Sequence, residues 1–361
     1  MSTPPSVVAA NLRVDLYSDT NTRPTPAMRR FMAEAEVGNE QEREDPTVNE
    51  LQEMAAALLG KEAALYLPSG TMCNQIAYSV WCRPGDEIIM DQSAHPIHYE
   101  SGGPAAITGA MVYPLQGDRG IFSADQARSA IRPLKHYYPR TRVISIEQTA
   151  NMTGGVCWKV EQIETLAAVA REHDLRLHMD GARLLNAATA LETPAATLTA
   201  SCDSCWLDLT KGLGAPVGAV LAGSRAFIEE AWVFKQRFGG AMRQAGIIAA
   251  AGIYALRHHV SRLVEDHTHA RILAEGLAAI PGIQLNPALV ETNIVIFDVA
   301  GTGLDAEQFV ARALAEHGVR FSTVRGSIVR AVTHLDISRA DLDTAVAAAA
   351  SAAIHQRHQA R

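Results

Sequence analysis

The stretch Leu207-Asp208-Leu209-Thr210-Lys211-Gly212-Leu213-Gly214-Ala215-Pro216-Val217-Gly218 reads as an apolar strand that runs into a glycine-rich turn carrying one lysine. An amine held at the end of a buried strand, in a partly dry cleft, loses part of its preference for the charged form and can attack a carbonyl. A lysine before a glycine turn is also an ordinary surface residue. Neighbouring motifs decide between the two. Thirty-one positions upstream, Leu175-Arg176-Leu177-His178-Met179 reads as a second buried strand and delivers Asp180-Gly181-Ala182-Arg183. Ligands of parallel α/β sheets sit beyond the carboxyl ends of the strands, so Asp180, Arg183 and Lys211 are expected to face one crevice.

A lysine for an aldehyde, an acid that keeps a pyridine nitrogen protonated, and cations for a substrate carboxylate are what pyridoxal 5'-phosphate asks of a protein. The set points to that cofactor. Pro68-Ser69-Gly70-Thr71-Met72, between a strand and a helix, adds a candidate phosphate turn: glycine for close backbone approach, the hydroxyl of Thr71, and free N–H groups at a helix start. His95, just past another apolar strand, is placed to stack on a ring and move a proton near the substrate's β-carbon. Ser18, Arg183 and Arg330 are the candidates for gripping a carboxylate, which a guanidinium fork matches in two parallel bonds. Arg330 stands between Val329 and Ala331, so facing inward it needs an anion; the alternative is that it faces outward on an edge strand.

No metal is expected. His95 and His98 have no carboxylate partner at a convincing spacing, and Cys202-Asp203-Ser204-Cys205 has no second pair at zinc spacing. The five cysteines read as plain buried thiols, and His258, His259, His267 and His269 as a solvated helix surface.

The chain has 361 residues, 48% hydrophobic and 20% charged, with a net charge of −7. That charge and the lack of a Lys/Arg run disfavour nucleic acid. No stretch nears 18 consecutive apolar residues, and the first 13 residues lack the charged and apolar regions of a signal peptide, so the expected location is cytoplasmic. After a start expected to be disordered, residues 1–60 read as an N-terminal arm with two helices, the second opening at Asp45-Pro46 with Thr47 and Glu50 as a capping box. Residues 61–260 alternate strands and helices, the pattern of a mostly parallel sheet covered on both faces. The expected strands are Ala64–Leu67, Glu87–Met90, Met111–Tyr113, Val143–Ile146, Leu175–Met179, Ser204–Leu207 and Val217–Leu221, with a long helix over Ile247–Leu277. Residues 261–361 read as a smaller α+β domain with strands at Ile283–Leu285, Asn293–Val299 and Val329–Val332 and an Ala-rich helix from Ser338.

With these motifs in order, the chain resembles the low-specificity L-threonine aldolases, a threonine aldolase group among the beta-eliminating lyases of fold type I (aspartate aminotransferase-like) pyridoxal-phosphate enzymes. The resemblance runs from Asp15-Leu16-Tyr17-Ser18-Asp19-Thr20 through Glu44-Asp45-Pro46-Thr47-Val48-Asn49, Asp180-Gly181-Ala182-Arg183 and the Lys211 turn to Gly239-Gly240-Ala241-Met242-Arg243-Gln244 and Val332-Thr333-His334-Leu335-Asp336. It implies that Lys211 is the Schiff-base lysine, Asp180 pairs with the pyridine nitrogen, and His95 stacks on the ring. It implies further that Ser69, Gly70 and Thr71 hold the phosphate, and that Ser18, Arg183 and Arg330 hold the substrate carboxylate. Arg243 would reach the phosphate of a neighbouring subunit, which implies a homodimer or homotetramer with shared sites. A lysine usual in the family stands as Gln236 here, with Lys235 or Arg237 as its replacement.

Two departures lie at the substrate's side chain. Where the family has histidine in an Asn-Thr-His-Asn segment, this chain has Gln148-Thr149-Ala150-Asn151. Where it has tyrosine and glycine, this chain has Glu42 and Arg43, expected to recognise a larger or charged substituent. The implied reaction is cleavage of a β-hydroxy-α-amino acid to glycine and an aldehyde, with His95 or a water beside it as base. Its rivals are β-elimination from a β-substituted amino acid, with Lys211 removing the α-proton, and a cofactor-binding protein without turnover.

Overall fold

The computed structural model describes residues 12–354, so the expected disordered start lies outside the described residues. Two compact units form: Arg23–Ser261, and one that joins residues 12–22 to 262–354. The expected arm of residues 1–60 is thus divided. Val14–Asp15 (β1) goes to the second unit, because it pairs in parallel with Val319–Arg320 and buries Val14 and Leu16 in that unit's core. The helices Pro26–Ala33 and Pro46–Leu58 pack on the helix Gly246–His258 of the first.

In the first unit, Ala63–Leu67 (β2), Glu87–Asp91 (β3), Met111–Leu115 (β4), Thr141–Glu147 (β5), Arg176–Asp180 (β6), Ser204–Asp208 (β7) and Ala219–Gly223 (β8) form one sheet. Its order is β2-β8-β7-β6-β5-β3-β4. Only β8 runs against its neighbours; β7, β6, β5, β3 and β4 are parallel in sequence across the sheet. Every residue of β3, β7 and β8 is buried, as expected of strands covered on both faces. The carboxyl ends of the parallel strands therefore share one edge.

In the second unit, Ile294–Asp298 (β9), Val319–Arg320 (β10), Ser322–Arg325 (β11) and Ile328–Val332 (β12) supply a three-stranded antiparallel sheet, β11-β12-β9, and the β1–β10 pair. Phe297 meets both Phe309 and Phe321 edge-on at 5.9 Å, and Ala345, Ala348, Ala349 and Ala352 of the helix Arg339–Ile354 fit against that core. The strand expected at Ile283–Leu285 reduces to a single bridge between Gln284 and Asp298.

Three local expectations change. The long helix is two, Gly246–His258 and Leu263–Ala278; the first ends where His259 bonds the Leu213 carbonyl through Nδ1 (2.7 Å). The second opening cap is Asp45, which accepts from Val48 N–H, while Thr47 donates to the Glu36 carbonyl. His259, His267 and His269 are buried rather than solvated, and burial pushes His267 down to about 4. All five cysteines are buried free thiols, with Cys205 pushed up to about 12 by burial. Among the described residues no helix is long and apolar enough to cross a membrane, and no group of His, Cys, Asp and Glu is arranged to hold a metal.

Candidate active site

The shared edge gathers the residues that the strand pattern singled out. Asp180 ends β6, Lys211 follows β7, His95 follows β3, and the Ser69–Thr71 turn follows β2. Trp206 of β7 sets their spacing: a Cβ on Gly70 would collide with its ring, and one on Gly181 with its carbonyl. Glycine at 70 is thus required by indole packing, whereas the sequence suggested approach to a phosphate. The Lys211 side chain is 18% exposed; its ammonium is ion-paired with Asp208 and lies 5.7 Å from the Trp206 ring centroid. Asp208 in turn accepts from the Thr210 N–H and hydroxyl at 2.6 and 2.7 Å. The lysine is therefore held by a carboxylate rather than left bare in a dry cleft.

Asp180 is 2% exposed and forms no ion pair among the described residues. It accepts from Asn74 Nδ2 (2.8 Å) and from the Ala182 N–H (3.0 Å). Burial raises its pKa, and the field of His95 and the Asn74 hydrogen bond offset only part of that. Asn74 Oδ1 accepts from Trp206 Nε1 (2.7 Å) and faces His178 Nε2 (3.1 Å). An amide oxygen only accepts, so Nε2 carries the proton and Nδ1 accepts from the Ser204 hydroxyl. Burial pushes His178 down to about 3, which keeps this support neutral.

His95 faces Glu100: Nδ1 lies 3.0 Å from Oε1 of that buried carboxyl, which Asn74 Nδ2 and Gln75 Nε2 also contact at 2.8 and 2.6 Å. Burial disfavours the charged imidazole, but the Glu100 hydrogen bond and the fields of Asp180, Glu100 and Glu147 outweigh it and raise its pKa. Arg183 is 4% exposed, with Nη1 donating to Asn151 Oδ1 (3.1 Å).

The remaining expected residues have other local partners. Ser18 and Arg330 belong to the second unit. The buried Ser18 Oγ accepts from the Thr20 N–H and hydroxyl. Arg330 lies on β12, the middle strand of its sheet, so the edge-strand alternative falls. Glu42 and Arg43 are exposed, and Arg43 Nη2 pairs with Glu229 (2.7 Å) at the surface. Arg243 is exposed, its carbonyl accepting from the Glu40 N–H at 3.1 Å. Lys235 is fully buried on Glu40 (2.9 Å), and Arg237 covers the Phe234 ring (4.7 Å).

Residues 15–300 match the family described as Beta-eliminating lyase. A low-specificity L-threonine aldolase of Arabidopsis thaliana is 42% identical over 334 residues, 91% of this chain and 93% of that relative. The Escherichia coli K12 low specificity L-threonine aldolase is 40% identical over 332 residues, covering 91% and 96%. The chain belongs to the beta-eliminating lyases. Within that family it is a member of the threonine aldolase group, a lyase that depends on pyridoxal phosphate. Solved folds agree: a Leishmania major threonine aldolase superposes with TM-score 0.82 at 20% identity, covering 94% of this chain and all of that one. An aspartate aminotransferase of Rhizobium meliloti gives 0.69 at 16%, covering 96% and 94%.

The residues of this beta-eliminating lyase suit that cofactor. A buried carboxyl without an ion pair matches a protonated ring nitrogen, and an amine stands at the neighbouring strand end. At the start of the helix Gly70–Trp81, Thr71 is exposed and has no hydrogen-bond partner among the described residues, beside N–H groups that the first helical turn leaves open. Sequence reasoning missed Asn74, Glu100, Glu147 and Asp208. Glu147 ends an apolar strand just as Asp180 does, and Asn74-Gln75 is a polar pair inside an apolar helix; both were signals.

Proposed function

We propose that the chain cleaves the Cα–Cβ bond of a threonine-like β-hydroxy-α-amino acid, releasing glycine and an aldehyde. One observation carries this reading: a half-exposed imidazole whose Nδ1 is bonded to a buried carboxylate, at the same sheet edge as Lys211 and Asp180. Were pyridoxal phosphate bound, Lys211 would hold its aldehyde carbon, Asp180 the pyridine nitrogen, and Ser69, Gly70 and Thr71 the phosphate, with Arg243 supplied by a second copy in a homo-oligomer. Pyridoxal phosphate, when bound, supplies the electron-withdrawing ring that the broken bond's electrons require.

The chain's own groups do the rest. Arg183, steadied by Asn151, binds the substrate carboxylate. Glu100 holds Nδ1 of His95 protonated, which turns the Nε2 lone pair toward solvent as the acceptor for the β-hydroxyl proton. Ala150 cannot take that proton, and His95 replaces the absent imidazole.

The test is a product assay. Purified protein loaded with pyridoxal phosphate is given threonine, allothreonine, phenylserine and hydroxyaspartate, and glycine plus aldehyde is the expected outcome. A 2-oxo acid and ammonia without glycine overturns the reading in favour of β-elimination. His95→Asn is expected to lower kcat by about 100- to 10,000-fold, and Lys211→Ala to abolish turnover.

A further inference from the structure

Glu147 is used by none of these steps, yet it sits beside the group on which they depend. It ends β5 in register with Asp180 of β6, so the two side chains leave the same face of the sheet. Both are buried, at 8% and 2% exposure, and neither forms an ion pair among the described residues. Two neighbouring carboxyl groups in a dry site do not both ionise. Their donors decide which one does. Asp180 accepts two N–H bonds of 2.8 and 3.0 Å, whereas Glu147 accepts a single bond of 3.3 Å from the His95 N–H.

We propose that Glu147 is a positioning residue that keeps its proton at neutral pH, leaving Asp180 as the one negative charge of the pair while its own oxygen anchors the His95 backbone. This rests on Asp180 serving the cofactor's ring nitrogen. The charged groups around it favour that distribution. Burial and then the field of Asp180 push Glu147 up to about 8, against the opposing pull of His95 and Arg183. Lys211 acts on Asp180 in the opposite sense, stabilising its charge, while Glu100 works against it. Glu147 also lines a small cavity of about 10 Å³ with Asp91, Ser93, Gly120 and Ala150, room for one water at most. Asp91 is already satisfied there by Ser93 and the Gly117 N–H. As pH rises through about 8, a second negative charge appears beside Asp180 and His95.

Infrared spectra of the native protein loaded with pyridoxal phosphate test this without turnover. A protonated-carboxyl band present at pH 7, fading with a midpoint near 8 and missing in Glu147→Gln, is expected. In Glu147→Gln kcat at pH 7 is expected to be reduced less than about tenfold, because the amide keeps an acceptor for the His95 N–H. Glu147→Ala, which loses the acceptor for His95, is expected to bind pyridoxal phosphate at least about tenfold more weakly by fluorescence titration. No such band at pH 7, a band that persists in Glu147→Gln, or loss of activity in Glu147→Gln as complete as in Lys211→Ala overturns the proposal. If the chain instead releases 2-oxo acid, the infrared result still stands or falls by itself.

Discussion

Two carboxyl groups buried in the same unit are neutralised in opposite ways. Glu40 is 2% exposed and meets Lys235, itself fully buried, while its other oxygen accepts from the Met242 N–H. Glu147 instead stands in register with another buried carboxyl, Asp180, on the neighbouring strand. In the first region a cation cancels the charge and fixes a backbone segment. In the second a proton does the cancelling, and a proton is exchangeable. The comparison separates an ion pair that shapes the chain from an acid that can respond to pH, and burial alone would not have told them apart.

Breaking the first region should have the largest effect on stability. Lys235→Met leaves Glu40 buried without its cation, which costs about 3–5 kcal/mol in denaturant unfolding. The double replacement Glu40→Met with Lys235→Met should recover most of that loss. Ala150→His sharpens the second region, because the cavity behind Glu147 is too small for an imidazole and a Cβ on Gly120 would already lie 2.8 Å from the Ala150 methyl. Overpacking there is expected to cost about 1–3 kcal/mol, and restoring the family's histidine should not raise activity.

The pH response comes next in size. Glu147 binds its proton more tightly folded than unfolded, so the folded state holds more protons between the ordinary value of 4.5 and about 8. Its contribution to stability is complete below that window and is lost as pH rises through it, with a slope of at most about 1.4 kcal/mol per pH unit. Glu147→Gln should remove that slope from melts of the cofactor-free protein. The smallest effect belongs to Arg43 and Glu229, whose side chains are 61% and 52% exposed. Replacing either should change stability by less than about 1 kcal/mol. A larger loss would mean that this pair is covered in an assembly.

Much of the site was readable from strand ends. An apolar run followed by Asp180, or by the Lys211 turn, announces a residue delivered to a sheet edge, and parallel pairing puts those ends together. Glu147 carries the same signature, but with no motif after it that demanded an acid it passed as the end of a strand. Glu100 and Asn74 were harder. The value of Glu100 depends on His95 returning across a short turn, and that of Asn74 on contacts to Asp180, Trp206 and His178, up to 132 positions away. Misreadings had the same origin: the histidines of 259–269 looked solvated because their polarity is visible in sequence and their burial is not.

The amino-acid order by itself determined which groups exist and which strands deliver them, because hydrophobic period and turn chemistry are local. Tertiary structure alone decided which buried acid met a cation, which met another acid, and which imidazole was tied to a carboxylate. Charge state inside a protein follows distance and dielectric through space, and neither is written along the chain.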